Sequence, residues 1–196
     1  LPPALHGPDR RNSAGLDLSN EFVLAHIDAA LQGSAAQAHN AVPLIATSIA
    51  GHQSQGAIIN VTNPADRREV VGQVQEATQA DVDAALNASQ SIQSAWGATA
   101  PAERAALLCK TADLLEAELL PLVALTMREA GKTAANAVAE VREAVDFLRY
   151  YAAQAELLQS DAASYAPLGP VTCISPWNFP LAIFMGQVSA ALAAGN

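Results

Sequence analysis

A chain of 196 residues has room for one or two domains, and with 51% hydrophobic and only 15% charged residues it can bury a sizeable core. Its 19 acidic against 10 basic residues give a formal net charge of −9. No cluster of Lys and Arg is present, which excludes a nucleic-acid footprint and argues against an anionic membrane surface as the main partner.

The first twenty residues are rich in Pro, Gly and Asn, with turn signals at Gly7-Pro8 and Asn12-Ser13, and read as an extended linker. Val23, Ile27, Ala30 and Leu31 then recur at helical spacing behind a cap at Ser19 or Asn20. Gly33 to Gly56 is small, polar and aperiodic, a second connector. Ile58–Val61 and Val70–Val74 are β-prone runs around the turn residues Asn63-Pro64-Ala65-Asp66, which predicts a hairpin or a pair of edge strands. Thr78 and Asp81 resemble a capping box, and Val82, Ala85, Leu86, Ser89, Ile92 and Trp96 trace one helical face behind it. Pro101 suits a first helical turn, with Leu107, Leu108, Ala112, Leu115 and Leu119 as its apolar stripe. A shorter helix from Pro121 stops at Gly131, and a long one follows to about Leu158, with Val138, Val141, Val145, Leu148 and Ala152 on one side.

The most informative stretch is Pro167 to Pro180, P-L-G-P-V-T-C-I-S-P-W-N-F-P. Val171–Ile174 predicts a buried strand that breaks into a loop holding Pro176, Trp177, Asn178 and Pro180, after which a helical pattern opens. Strand, tight loop, helix is the half-unit of nucleotide-binding α/β sheets, whose ligands sit at the carboxyl ends of the strands.

Several other features read as structure. Gly131-Lys132-Thr133 lacks the upstream Gly and the strand that a P-loop needs, so a helix stop and start is expected. The two cysteines form no disulfide framework; Cys173 lies inside the apolar run and Cys109 within a helical stripe, so both are expected in the core. His6, His26, His39 and His52 show no metal-ligand spacing, so no metal is expected and solvated histidines are. Glu140, Glu143 and Asp146 alternate with Arg142 and Arg149 on the long helix, which predicts a solvated, ion-paired face. Asn178 sits between two prolines in a rigid loop, where its amide can donate to a developing oxyanion or, alternatively, cap the next helix.

Gly169 to Leu181, G-P-V-T-C-I-S-P-W-N-F-P-L, resembles the I-x-P-W-N-[FY]-P segment of the NAD(P)-dependent aldehyde dehydrogenase superfamily. Ile59-Asn60 with Asn63-Pro64-Ala65, Arg128-Glu129-Ala130-Gly131-Lys132 and Ala190 to Asn196 extend the likeness, which runs from Ile58 to the end. Asn12 to Leu18 and Ala139 to Leu148 further resemble the bifunctional proline-utilisation flavoproteins, in which a proline dehydrogenase domain precedes a glutamate-semialdehyde (pyrroline-5-carboxylate) dehydrogenase domain.

The resemblance implies an α/β fold: the helix-rich N-terminal part of an aldehyde dehydrogenase, ending after the first strand and helix of a Rossmann-type NAD-binding sheet. Residues 1–57 would be an interdomain arm with one helix and 58–196 an incomplete dehydrogenase domain. Ile174, Ser175, Pro176 and Trp177 match positions that line the NAD site, Asn178 the oxyanion-holding amide, and Phe179 an aromatic packed on the substrate. Glu143 matches a helix carboxylate near the aldehyde, although periodicity places it on the surface. The implied reaction is NAD-dependent oxidation of L-glutamate γ-semialdehyde to glutamate, with FAD only in the upstream proline dehydrogenase domain and the full-length protein a homo-oligomer.

The family's nucleophilic Cys and general-base Glu lie downstream, so the segment alone is expected to be inactive. Leu1 is not a natural start residue, and an excerpt of a longer polypeptide is expected. The absence of a basic-then-apolar leader and the cysteine usage lead us to expect a cytoplasmic protein, with any inner-membrane docking made by other domains. The competing readings are a dehydrogenase for another semialdehyde, and a non-catalytic helical interaction module in which P-W-N-F-P is only a turn.

Overall fold

The computed structural model describes residue 7 and residues 10–49, 51–159 and 165–196. His6 and Pro8 of the expected Gly7-Pro8 turn lie outside the described residues. In chain order the elements are α1 (Glu21–Ala35), β1 (His39–Ala41), α2 (Leu44–Ser48), β2 (Ile58–Thr62), β3 (Val70–Gln75), α3 (Gln79–Ala98), α4 (Pro101–Ala117), α5 (Leu119–Ala130), α6 (Ala134–Gln159) and α7 (Ala182–Ala193).

Local chemistry explains most boundaries. The Asn20 side chain accepts from the Phe22 N–H to start α1. At Thr78 both halves of a capping box form with Asp81. Pro101 occupies the first turn of α4, where its missing N–H costs nothing. Gly131 ends α5 in the left-handed region, at φ 64°, and a Cβ there would also meet Pro64 Cγ at 2.8 Å. Thr133 then opens α6, its Oγ1 accepting from the Asn136 N–H. The expected helix stop and start at Gly131-Lys132-Thr133 is therefore found.

The predicted hairpin is present, β2 pairing antiparallel with β3. The region Gly33 to Gly56 is more than a connector, because β1 pairs parallel with β3 and completes a sheet in the order β1-β3-β2, and α2 follows it. Aperiodic residues reveal no strand when its partner comes from elsewhere in the chain. The arm thus contributes two helices and a strand where one helix was expected, and α1 packs on α5.

The core lies in two clusters. Ala105, Leu108 and Ala112 of α4 meet Val145, Leu148, Ala152 and Ala155 of α6 and Ala193 of α7, with alanine letting the helices approach closely. Ile27 of α1, Leu119 and Val123 of α5 and Ala137, Val138 and Val141 of α6 form the second. The stripe expected on the long helix, Val138 to Ala152, is buried throughout.

The apolar face of α3 is not covered: Val82, Leu86 and Ile92 are 45%, 48% and 63% exposed. Val171–Ile174 pairs with no strand among the described residues, although a buried strand was expected. A strand needs a hydrogen-bonding neighbour, and none of the described strands reaches it.

Candidate functional site

The Pro176–Pro180 loop is a tight turn closed by the Phe179 N–H donating to the Pro176 carbonyl at 3.1 Å. It delivers the chain into α7, whose first turn needs an acceptor for its free N–H groups. Asn178 does not supply it. The Asn178 side chain is exposed and makes no hydrogen bond among the described residues, so the capping alternative is not what the structure contains. The acceptor comes from α6: Glu140 Oε1 takes the N–H groups of Leu181 and Ala182 at 3.1 and 2.9 Å.

Glu140 was expected on a solvated face, yet it is only 2% exposed. A buried carboxylate is stable only when paired and hydrogen-bonded. Lys132, just past the α5 stop, supplies the pair by hydrogen-bonding to Glu140 Oε2. The same ammonium lies 4.6 Å from the centroid of the Phe179 ring, within cation–π range. One charged pair therefore touches the loop's aromatic and the helix that follows it.

Two further charges of α6, on Asp146 and Arg149, also bond away from the helix rather than along it. Asp146 accepts from the N–H and Oγ of Ser13 at 2.9 and 2.7 Å. Arg149 reaches Asp113 and Glu116 of α4 at 2.8 and 2.7 Å. The expected ion-paired surface face is thus, for Glu140, Asp146 and Arg149, a set of ties to other elements. Periodicity finds which face a residue is on but not what is packed there.

Glu143 is exposed, as periodicity requires. At about 100° per residue it lies about 60° from Glu140 and about 40° from Phe147. Both of those neighbours touch α7: Glu140 at its first turn, and Phe147 at Gly186, where a Cβ would stand 3.0 Å from the ring. Glu143 therefore occupies the α7-facing margin of α6, open to solvent. Nothing among the described residues bonds it to the loop.

Ile174 and Trp177 are 79% and 80% exposed, Pro176 is exposed and Ser175 half-buried. These four residues form one apolar edge. Its near end is tied to α7 by the Gln187 Nε2, which donates to the Ile174 carbonyl at 2.9 Å. Ile174–Phe179 lie on a single loop, and Glu143 lies apart on α6 with no bond to that loop among the described residues. The sequence carried no sign of Gln187, placed Glu140 only on a solvated ion-paired face, and showed Lys132 only as part of a helix end.

Neither cysteine occupies the core position expected of it. Cys173 is half-buried and lines an apolar groove of about 350 Å³ with Ile92, Trp96, Val171, Val188 and Leu192. Cys109 is exposed on α4, and partial desolvation followed by the nearby Asp113 pushes its thiol up, which makes it a poor nucleophile. The histidines expected in solvent are partly engaged: His39 meets Ser34 Oγ at 3.2 Å and His52 meets Asp81 at 2.6 Å. Among the described residues no three His, Cys, Asp or Glu side chains gather where a metal ion would sit, and no helix is long and apolar enough to cross a membrane.

A profile of the aldehyde dehydrogenase family matches residues 51–196. The bifunctional protein PutA of Escherichia coli K12 is 52% identical over 198 aligned residues, covering 100% of this chain. This chain spans only 14% of that relative's length. The crystal structure of proline utilization A from Bdellovibrio bacteriovorus, inactivated by N-propargylglycine, superposes with a TM-score of 0.80 at 30% identity, over 96% of this chain and 21% of that one. A 1-pyrroline-5-carboxylate dehydrogenase from Thermus with bound NAD superposes with a TM-score of 0.78 at 29% identity, over 95% of this chain and 38% of that one.

Proposed function

This chain belongs to the aldehyde dehydrogenase family and carries the helix-rich first part of its fold, and from that premise we propose that the full-length protein is an NAD-dependent dehydrogenase oxidising L-glutamate γ-semialdehyde to L-glutamate in proline catabolism. We further propose that it is bifunctional, with a proline dehydrogenase domain carrying FAD upstream, and works as a cytoplasmic homo-oligomer. The observation that carries the reading is the 52% identity to a bifunctional PutA across the whole chain, including the arm ahead of the family match. In this reading residues 1–57 connect the two domains.

The residues fit a dinucleotide. Ile174 and Trp177, largely exposed beside half-buried Ser175, offer an apolar wall suited to a flat ring and its ribose. NAD, when bound, supplies the acceptor for the hydride that leaves the aldehyde carbon. A thiolate from the remainder of the protein adds to that carbon, forming a C–S bond and an oxyanion. Asn178, exposed and unengaged, donates its side-chain amide to that oxygen. Phe179 packs on the aliphatic part of the substrate, and Glu143 stands at the margin of the aldehyde site. As the oxyanion re-forms its carbonyl, that adduct would lose its hydride and become a thioester, which water would then cleave to release glutamate and the thiol. Cys109 and Cys173 take no part.

The test is NAD reduction by the full-length protein with glutamate semialdehyde and with a panel of other aldehydes. A clear kcat/KM preference for glutamate semialdehyde is expected; a preference for a different semialdehyde would overturn the substrate assignment, and no turnover on any aldehyde would overturn the activity. The isolated 196-residue segment is expected to show no turnover.

A further inference from the structure

The loop that holds Asn178 and Phe179 leaves both side chains at the surface, and two charged side chains from other elements, Glu140 and Lys132, lie against it. We propose that Glu140 and Lys132 are positioning residues that brace this loop from behind: Glu140 anchors its exit at the first turn of α7, and Lys132 holds the ring of Phe179. The inference rests on the dehydrogenase reading above.

Four observations carry it. Glu140 is buried to 2% exposure, yet it spends one oxygen on two backbone N–H groups at the loop's exit and the other on Lys132. Charge-assisted bonds of this kind are directional and about twice as strong as neutral ones. Lys132 is held by a left-handed glycine on one side and the start of α6 on the other, and its side chain is 13% exposed. Its ammonium faces the Phe179 ring at 4.6 Å. Asn178 is the residue between the apolar wall and that ring, so fixing Phe179 and Leu181 fixes the short backbone span from which its amide projects.

The brace acts on one half of the loop only. The other half, at Ile174, is tied separately through Gln187 to α7. Disturbing Glu140 or Lys132 should therefore affect the oxyanion donor and the substrate's aliphatic contact while sparing the cofactor wall. A purely structural role predicts no such division.

The experiment uses the full-length enzyme with Glu140→Gln, Lys132→Met and Lys132→Arg. Gln keeps a carbonyl oxygen for the two N–H groups but turns an amide donor toward the ammonium. We expect Glu140→Gln and Lys132→Met to lower kcat/KM for the aldehyde about 10- to 100-fold, the scale on which small misplacements of a reacting group act, with KM for NAD within twofold of wild type. Lys132→Arg, which keeps the cation over the ring, should recover most of the loss. Aldehyde kinetics within twofold of wild type, or equal losses in both substrates' parameters, would overturn the proposal. If wild type prefers another aldehyde, the substrate assignment fails and the brace is read on that aldehyde. An activity-independent readout is amide exchange over residues 177–182: at least a tenfold rise in Glu140→Gln or Lys132→Met supports the brace, and unchanged exchange in both contradicts it.

Discussion

Asn178 is the residue on which the proposed chemistry turns, and its value comes from being unoccupied. A buried, satisfied amide would have to break a bond before helping an oxyanion; this one is exposed with no partner among the described residues. Loss of one such donor typically costs about 10²–10³ in turnover. We therefore expect Asn178→Ala in the full-length enzyme to lower kcat on that scale with little change in KM for NAD, measured by steady-state kinetics. Asp81 is a second residue with a defined electrostatic fate. The hydroxyl and then the backbone N–H of Thr78, followed by His52, hold its carboxyl well below the usual carboxylate range. A depressed folded-state value means that the stabilisation is present above the unfolded value, about 3.9, and drains away as the pH falls below it. Asp81→Asn should accordingly flatten the fall in thermal midpoint of the full-length protein between about pH 5 and pH 3; an unchanged slope would contradict the assignment.

Among the elements, the α5–α6 junction matters most for the site. Gly131 permits the sharp reversal that puts Lys132 beside Glu140, and both the positive φ and the nearby Pro64 exclude a side chain there. Gly131→Ala should destabilise the full-length protein by about 1–2 kcal/mol through the left-handed conformation alone and raise KM for the aldehyde as Lys132 shifts. Denaturant melts and kinetics on the same variant check both. The start of α3 is a simpler case: Thr78→Ala removes a helix cap worth about 1 kcal/mol. The P-W-N-F-P loop owes its form to two prolines and a turn bond, but its placement to α6, since the carboxylate that receives it lies on that helix.

On the scale of the whole molecule, the arm is bound to the body. Asn12 and Ser13 are buried, and Ser13 makes two bonds to Asp146. The superposition on a 1-pyrroline-5-carboxylate dehydrogenase over 95% of this chain means that the arm is not by itself the mark of a bifunctional protein. The support for bifunctionality is instead the identity to PutA. Ser13→Ala should weaken the clasp by about 1 kcal/mol and speed limited proteolysis within residues 10–20 of the full-length protein. An apolar groove lies between α3 and α7, with the exposed Ile92, Val171 and Leu192 on its rim.

The chain's own order of residues determined the caps, the hairpin, the glycine stop, the buried stripe of α6 and the family motif, because each depends on residues within a few positions of one another. Only the tertiary structure decided that β1 joins the sheet, that Glu140 is buried beneath the P-W-N-F-P loop, and that Lys132 faces Phe179. Those facts depend on contacts between residues about forty positions apart, such as Glu140 with Ala182, and an ion pair looks the same in sequence whether water or another helix covers it. Charge placed every third or fourth residue on a helix reads as surface; packing against neighbouring elements buried Glu140 and Arg149 and half-buried Asp146.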